Sequence, residues 1–132
     1  ARLMALAGAG ILIYPTAIGF DPNDDADEAR RQLDAWRTIQ RSHAVANGAF
    51  VLSVNRVGHE PDHSGAGRDA GFWGHSFACG PQGEILAEAG EQAAVLNVTL
   101  DRARIDEVRR IWPFFRDRRI DAYADLLRRY AD

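Results

Sequence analysis

The segment HEPDH at 59–63 places His59, Glu60, Asp62 and His63 within five residues, two imidazoles and two carboxylates of the kind that hold a divalent cation. Zinc spacing of this sort needs a helix, and Pro61 between the histidines argues against one, so the segment reads as a solvated loop and no metal is expected. His75 and Cys79 could act as base and nucleophile, but on a strand four residues separate them by about 13 Å at ~3.3 Å each. GHSFA at 74–78 has the outline of a nucleophile elbow, except that Ala78 replaces the closing glycine and no helix follows. Ser76 and Cys79 are better read as buried strand residues.

All sixteen basic residues are arginine, so any mechanism that needs a lysine cannot be completed within these 132 residues. The arginines between Arg102 and Arg129 alternate with Asp101, Asp106, Glu107, Asp117, Asp121 and Asp125, the pattern of a salt-bridged helical surface. With a net charge of -3, nucleic acid is not an expected partner. The single cysteine precludes an internal disulfide, and no run approaches the ~20 apolar residues of a membrane span. A soluble chain of a reducing, cytoplasmic compartment is expected.

At 46% hydrophobic residues the chain can bury the core of one domain. Its opening, ARLMALAGAG, reads as the last turns of a helix already under way, stopped by Gly8 and Gly10, and suggests a piece of something longer. An apolar run at 11–14 predicts a strand buried on both faces, and 15–27, with Pro22 and Asn23, predicts a loop. The acidic cluster Asp24, Asp25, Asp27 and Glu28 then opens a helix that runs to Asn47, with Gly48 as its C-cap. One face carries Leu33, Trp36, Gln40, His43 and Asn47, a mixed stripe that suits a wet interface. A strand at 50–54, a loop at 57–71 and a hairpin of 74–79 with 84–88 about the turn GPQG follow. The rest predicts a strand at 95–100, a helix at 102–112 capped by Thr99 or Asp101 and stopped by Pro113, and a last short helix at 120–130. The order implies an α+β fold whose sheets need helices on one side.

Four segments together resemble one family: YPTAIG at 14–19, NRVG at 55–58, FWGHSFACGPQGEIL at 72–86 and RRIWPFFRDRRIDAY at 109–123. Their order and spacing are similar to the nitrilase superfamily of carbon-nitrogen hydrolases, and within it to the branch acting on N-carbamoylputrescine. The resemblance implies the C-terminal part of a four-layer α-β-β-α sandwich, with 1–132 forming one portion of a single domain. It also implies a Glu-Lys-Cys mechanism without cofactor, in which none of the three residues falls in this chain. The nucleophile is expected about a dozen residues before Ala1, and Cys79 does not stand in for it.

What remains for this chain is a wall of the substrate site. Thr16 and Ala17 either touch the substrate or merely pack a strand end, and Asp21 is matched to an acidic position that would read the substrate's ammonium. Asn55, Trp73 and His75 could face the rim of the same pocket. A homodimer through the helix carrying Trp36, Gln40 and His43 is the expected assembly. Other readings are a β-ureidopropionase-like or ω-amidase-like enzyme, or a non-catalytic interaction domain.

Overall fold

The computed structural model describes residues 1–21, 23–64 and 69–130. The expected turn at Pro22 and part of the expected loop at 57–71 therefore lie outside the described residues. In chain order the elements are α1 (Arg2–Leu6), β1 (Ile11–Thr16), β2 (Gly19–Phe20), α2 (Ala26–Asn47), β3 (Phe50–Asn55), β4 (Val57–Glu60), β5 (Ala70–Trp73), β6 (Phe77–Cys79), β7 (Ile85–Glu88) and α3 (Ala103–Ile111). Two short 3-10 turns follow at Ile120–Ala122 and Ala124–Leu127.

The strands form two sheets, one in the order β1-β3-β6-β7 and one in the order β2-β5-β4. β1 and β3 are parallel, as a connection through a long helix requires, and the remaining pairs are antiparallel. The acidic cluster starts α2 as expected: the Asp25 carboxylate accepts the Glu28 N–H at 2.7 Å, with Asp27 and Glu28 in the first turn. Gly48 ends it at φ 52, a left-handed conformation that favours glycine, and the Arg109 side chain closes over this end, Nε donating to Asn47 O at 3.2 Å.

α2 lies on the larger sheet, and the core between them is Leu12, Trp36, Ala44, Val51, Phe77 and Cys79, with Trp73 from the smaller sheet. The stripe expected at a dimer contact is thus turned inward. Trp36 and Gln40 are buried and His43 stacks on Tyr14 at 5.7 Å between ring centres, so these residues are not the surface of α2 that a second copy could reach.

Other expectations are corrected by pairing. β1 is covered on one face only: Leu12 is buried, while Ile13 is 61% exposed and Ile11 and Val54 are also exposed. A second sheet would lie on this open face in an α-β-β-α sandwich. The expected loops at 15–27 and 57–71 contain β2, β4 and β5, two short ladders that the polar composition hid. β6 starts only at Phe77, so Ser76 precedes the strand. The run at 95–100 finds no neighbour among the described residues and forms no strand. The tail at 120–130 makes isolated 3-10 turns because nothing covers its apolar side chains, Leu127 being 92% exposed. At α3 the choice of cap falls on Asp101, whose carboxylate accepts the Ala103 N–H at 3.0 Å. No helix among the described residues is long and apolar enough to cross a membrane.

Candidate functional site at the seam of the two sheets

Besides the return from β2 to β3 through α2, the chain passes between the sheets three times, from β1 to β2 through Ala17 and Ile18, from β3 to β4 through Arg56, and from β5 to β6 through residues 74–76. All three passages meet around Asn55, which is 7% exposed. Its Oδ1 accepts from Ile18 N at 3.0 Å and from the Thr16 hydroxyl at 2.9 Å, and its Nδ2 donates to Ile18 O at 2.9 Å and Gly74 O at 3.0 Å. The Asn55 N–H donates to Ser76 Oγ at 2.9 Å, and that hydroxyl lies 3.2 Å from Asn55 O. Backbone bonds from Arg56 N to Thr16 O and from Gly74 N to Arg56 O close the seam.

Thr16 and Ala17 stand at the end of β1. The Thr16 hydroxyl is held toward Asn55, leaving its methyl group and the exposed Ala17 as the open part of this strand end. The passage into β2 is tight, because a Cβ on Gly19 would fall 1.8 Å from Gly71 O on β5. Asp21 follows β2 on an exposed turn. Its Oδ1 accepts from the Asn23 backbone and side-chain N–H groups, each at 2.9 Å, which hold the carboxyl below the usual carboxylate range. Among the described residues Oδ2 accepts no hydrogen bond, so one oxygen is held by the turn and the other is turned to solvent.

The three residues expected at the rim divide. The Asn55 carboxamide is fully engaged by three backbone groups and the Thr16 hydroxyl. Trp73 is 1% exposed and belongs to the core, with Phe20 edge-on at 5.4 Å and Trp36 at 6.1 Å. His75 is half-buried at φ 54, unusual for a residue with a side chain, and its Nδ1 lies 3.4 Å from Glu88 Oε1, whose other oxygen takes Arg37 Nη2 at 2.7 Å. The sequence reading missed Ser76 and the Gly74 carbonyl as partners of Asn55. The available signal was Asn55 itself, an amide closing the apolar strand FVLSV.

Cys79 is fully buried in the core, and burial pushes its thiol up to about 11. It is a packed strand residue. In HEPDH, Glu60 pairs with Arg56, and His59 lies 3.4 Å from Asp69 across the β4-β5 hairpin. Among the described residues no three His, Cys, Asp or Glu side chains gather as a metal site. What the seam can do chemically is present a rigid strand end, a small open surface at Ala17 and an exposed carboxylate two residues beyond Gly19.

Comparison with known proteins agrees with this arrangement. Residues 1–110 match the family described as carbon-nitrogen hydrolase. The chain is 43% identical to an N-carbamoylputrescine amidase of Solanum tuberosum over 96% of its own length and 42% of the relative's. It is 37% identical to a citrullinase of Francisella tularensis over 98% of its own length and 44% of the relative's. The crystal structure of a carbon-nitrogen hydrolase from Helicobacter pylori superposes with a TM-score of 0.94 at 55% identity, covering 98% of this chain and 44% of that one. The chain therefore spans less than half the length of the relatives it matches. With the family profile reaching across both sheets and α3, the chain belongs to the carbon-nitrogen hydrolases of the nitrilase superfamily.

Proposed function

We propose that the full-length protein hydrolyses N-carbamoylputrescine to putrescine, carbon dioxide and ammonia, a step of polyamine synthesis, and that this chain is the C-terminal portion of its single catalytic domain. In this reading a cysteine thiolate outside the chain attacks the carbamoyl carbon and ammonia leaves. Water then releases a carbamate, which loses carbon dioxide to give the amine. In this reading the glutamate base also lies outside the chain, and so does the lysine that stabilises the oxyanion, since the chain contains no lysine.

The chain's part is the wall made by Thr16, Ala17 and Asp21. The observation that carries the substrate reading is Asp21, an exposed carboxylate two residues after the Gly19 passage, with Oδ2 unengaged among the described residues. An ammonium at the far end of a carbamoylated diamine suits such a group, and a carboxylate-tailed ureido acid does not. The 43% identity to an N-carbamoylputrescine amidase supports the same choice. The buried, unpaired Cys79 suits a reducing, cytoplasmic setting. A homodimer contact through α2 would use the part of the helix left exposed, including its flank at Ile39, which is 52% exposed.

Ammonia release by the full-length protein tests the reading, with N-carbamoylputrescine, citrulline and 3-ureidopropionate as substrates. The expected order of kcat/KM places N-carbamoylputrescine first. A preference for citrulline or 3-ureidopropionate, or no turnover of any, would overturn it.

A further inference from the structure

We propose that Asn55 is a positioning residue for the substrate wall, a role that rests on the proposed function of that wall. An amide side chain has two protons to donate and two lone pairs to fill, and Asn55 commits all four. Two of these bonds go to the N–H and C=O of a single residue, Ile18. The parallel β1-β3 ladder gives no residue such a pair of bonds with one partner, so the side chain fastens Ile18 in its own way just beyond the last register pair, Thr16 with Asn55.

The consequence is geometric. Ile18 lies between Ala17 and Gly19, and among the described residues its backbone takes part in no ladder of either sheet. The carboxamide fixes the direction in which the chain leaves β1 through Ala17, and with the β2-β5 pairing that follows it fixes where Asp21 stands. Its third backbone contact, Gly74 O, ties the same point to the passage from β5 to β6. Losing the side chain frees the polar groups of Ile18 and the Gly74 carbonyl at once, at the place where all three passages cross. A core residue that only adds stability would not select which part of the substrate is read.

The test uses Asn55→Ala and Asn55→Asp in the full-length protein, assayed well below each variant's unfolding temperature. Asn55→Asp keeps the shape and the acceptor bonds and removes both donors. Activity is measured on N-carbamoylputrescine and on N-butylurea, which has the same carbamoyl group and no ammonium. Hydrogen exchange of the Ile18 amide is followed in parallel. The expected result is loss of Ile18 protection in Asn55→Ala, with a rise in KM for N-carbamoylputrescine of about tenfold and an equal loss of preference over N-butylurea, while kcat changes less. Should Asn55→Ala fail to fold, Asn55→Asp is expected to show the same loss of preference.

Retained Ile18 protection in Asn55→Ala would overturn the clamp. Lost protection with unchanged KM and preference would overturn the positioning role, leaving Asn55 as a stabilising residue only. If the wild-type protein turns over citrulline in place of N-carbamoylputrescine, the substrate reading fails separately, and the inference is then decided by the KM for citrulline and by Ile18 exchange.

Discussion

Trp36 of α2 lies 6.1 Å, ring centre to ring centre, from Trp73 of β5, and edge-on to Phe77 of β6 at 5.7 Å. One helix side chain thereby holds the two sheets together beneath the seam. Trp36→Ala is expected to cost about 3–5 kcal/mol of stability, the range for emptying a buried aromatic site. Thr38→Ala, on the exposed face of the same helix, should stay within about 0.5 kcal/mol. Urea unfolding of both variants checks this. A Trp36→Ala variant that keeps its unfolding midpoint and changes only its oligomer size would restore Trp36 to an interface.

Cys79 should be chemically silent. With its thiol at about 11, about one molecule in a thousand carries thiolate at pH 8, so iodoacetamide should label it only after unfolding. Because burial raises the folded value above the unfolded one, the stabilising contribution is complete below pH 9 and is lost as pH climbs toward about 11. Cys79→Ala should flatten that alkaline decline. Rapid labelling of the folded protein near pH 8, or loss of full-length activity in a folded Cys79→Ala variant, would return Cys79 to the catalytic candidates.

His43 acts in the opposite direction on the acid side. Burial, with the Tyr14 ring stacked against it, lowers its value below the ordinary 6.5. The unfolded chain then takes up a proton near 6.5 that the folded chain still refuses, so stability is complete above that pH and falls as pH drops below it. His43→Gln should show a shallower decline in urea midpoint between pH 7.5 and 5.5. Equal declines in the two proteins would mean that His43 titrates as freely when folded as when unfolded.

The helices with caps were legible in the sequence because capping is local: Asp25, Gly48 and Asp101 each act within a few residues of their own position. The hairpin about GPQG was legible for the same reason. β2, β4 and β5 were not, since Gly19 pairs with Phe72 and Val57 with Trp73, partners that a two- to four-residue polar strand does not announce. The inward turn of Trp36 was misread because a stripe that mixes Trp36 with Gln40 and Asn47 can face either a wet interface or a sheet, and only the packing against Trp73 and Phe77 decides. The first strand was legible, but its end was read at Tyr14, two residues short of Thr16. What holds it, the Asn55 carboxamide, depends on three chain passages converging, which no spacing within one segment encodes.

Asp21 is where the substrate reading is most exposed to test. An aspartate ahead of a turn commonly needs no further explanation, and Oδ1 does serve that purpose by accepting both Asn23 N–H groups. That engagement also keeps the carboxyl ionised to lower pH than usual, with the backbone of Asn23 the larger cause, so the group is a carboxylate throughout the neutral range. The turn thus orients one oxygen and leaves the other to meet a cation. If that cation is the ammonium of N-carbamoylputrescine, Asp21→Asn in the full-length protein should keep the turn, since an asparagine oxygen can still accept from Asn23, and lose the charge. The expected result is a fall in kcat/KM for N-carbamoylputrescine of about 10- to 150-fold, with little change for N-butylurea. Raising the salt concentration should narrow the wild-type preference for the charged substrate, because the carboxylate is exposed and its attraction is screened. Equal losses on both substrates would show that Asp21 supports the turn and does not read the amine.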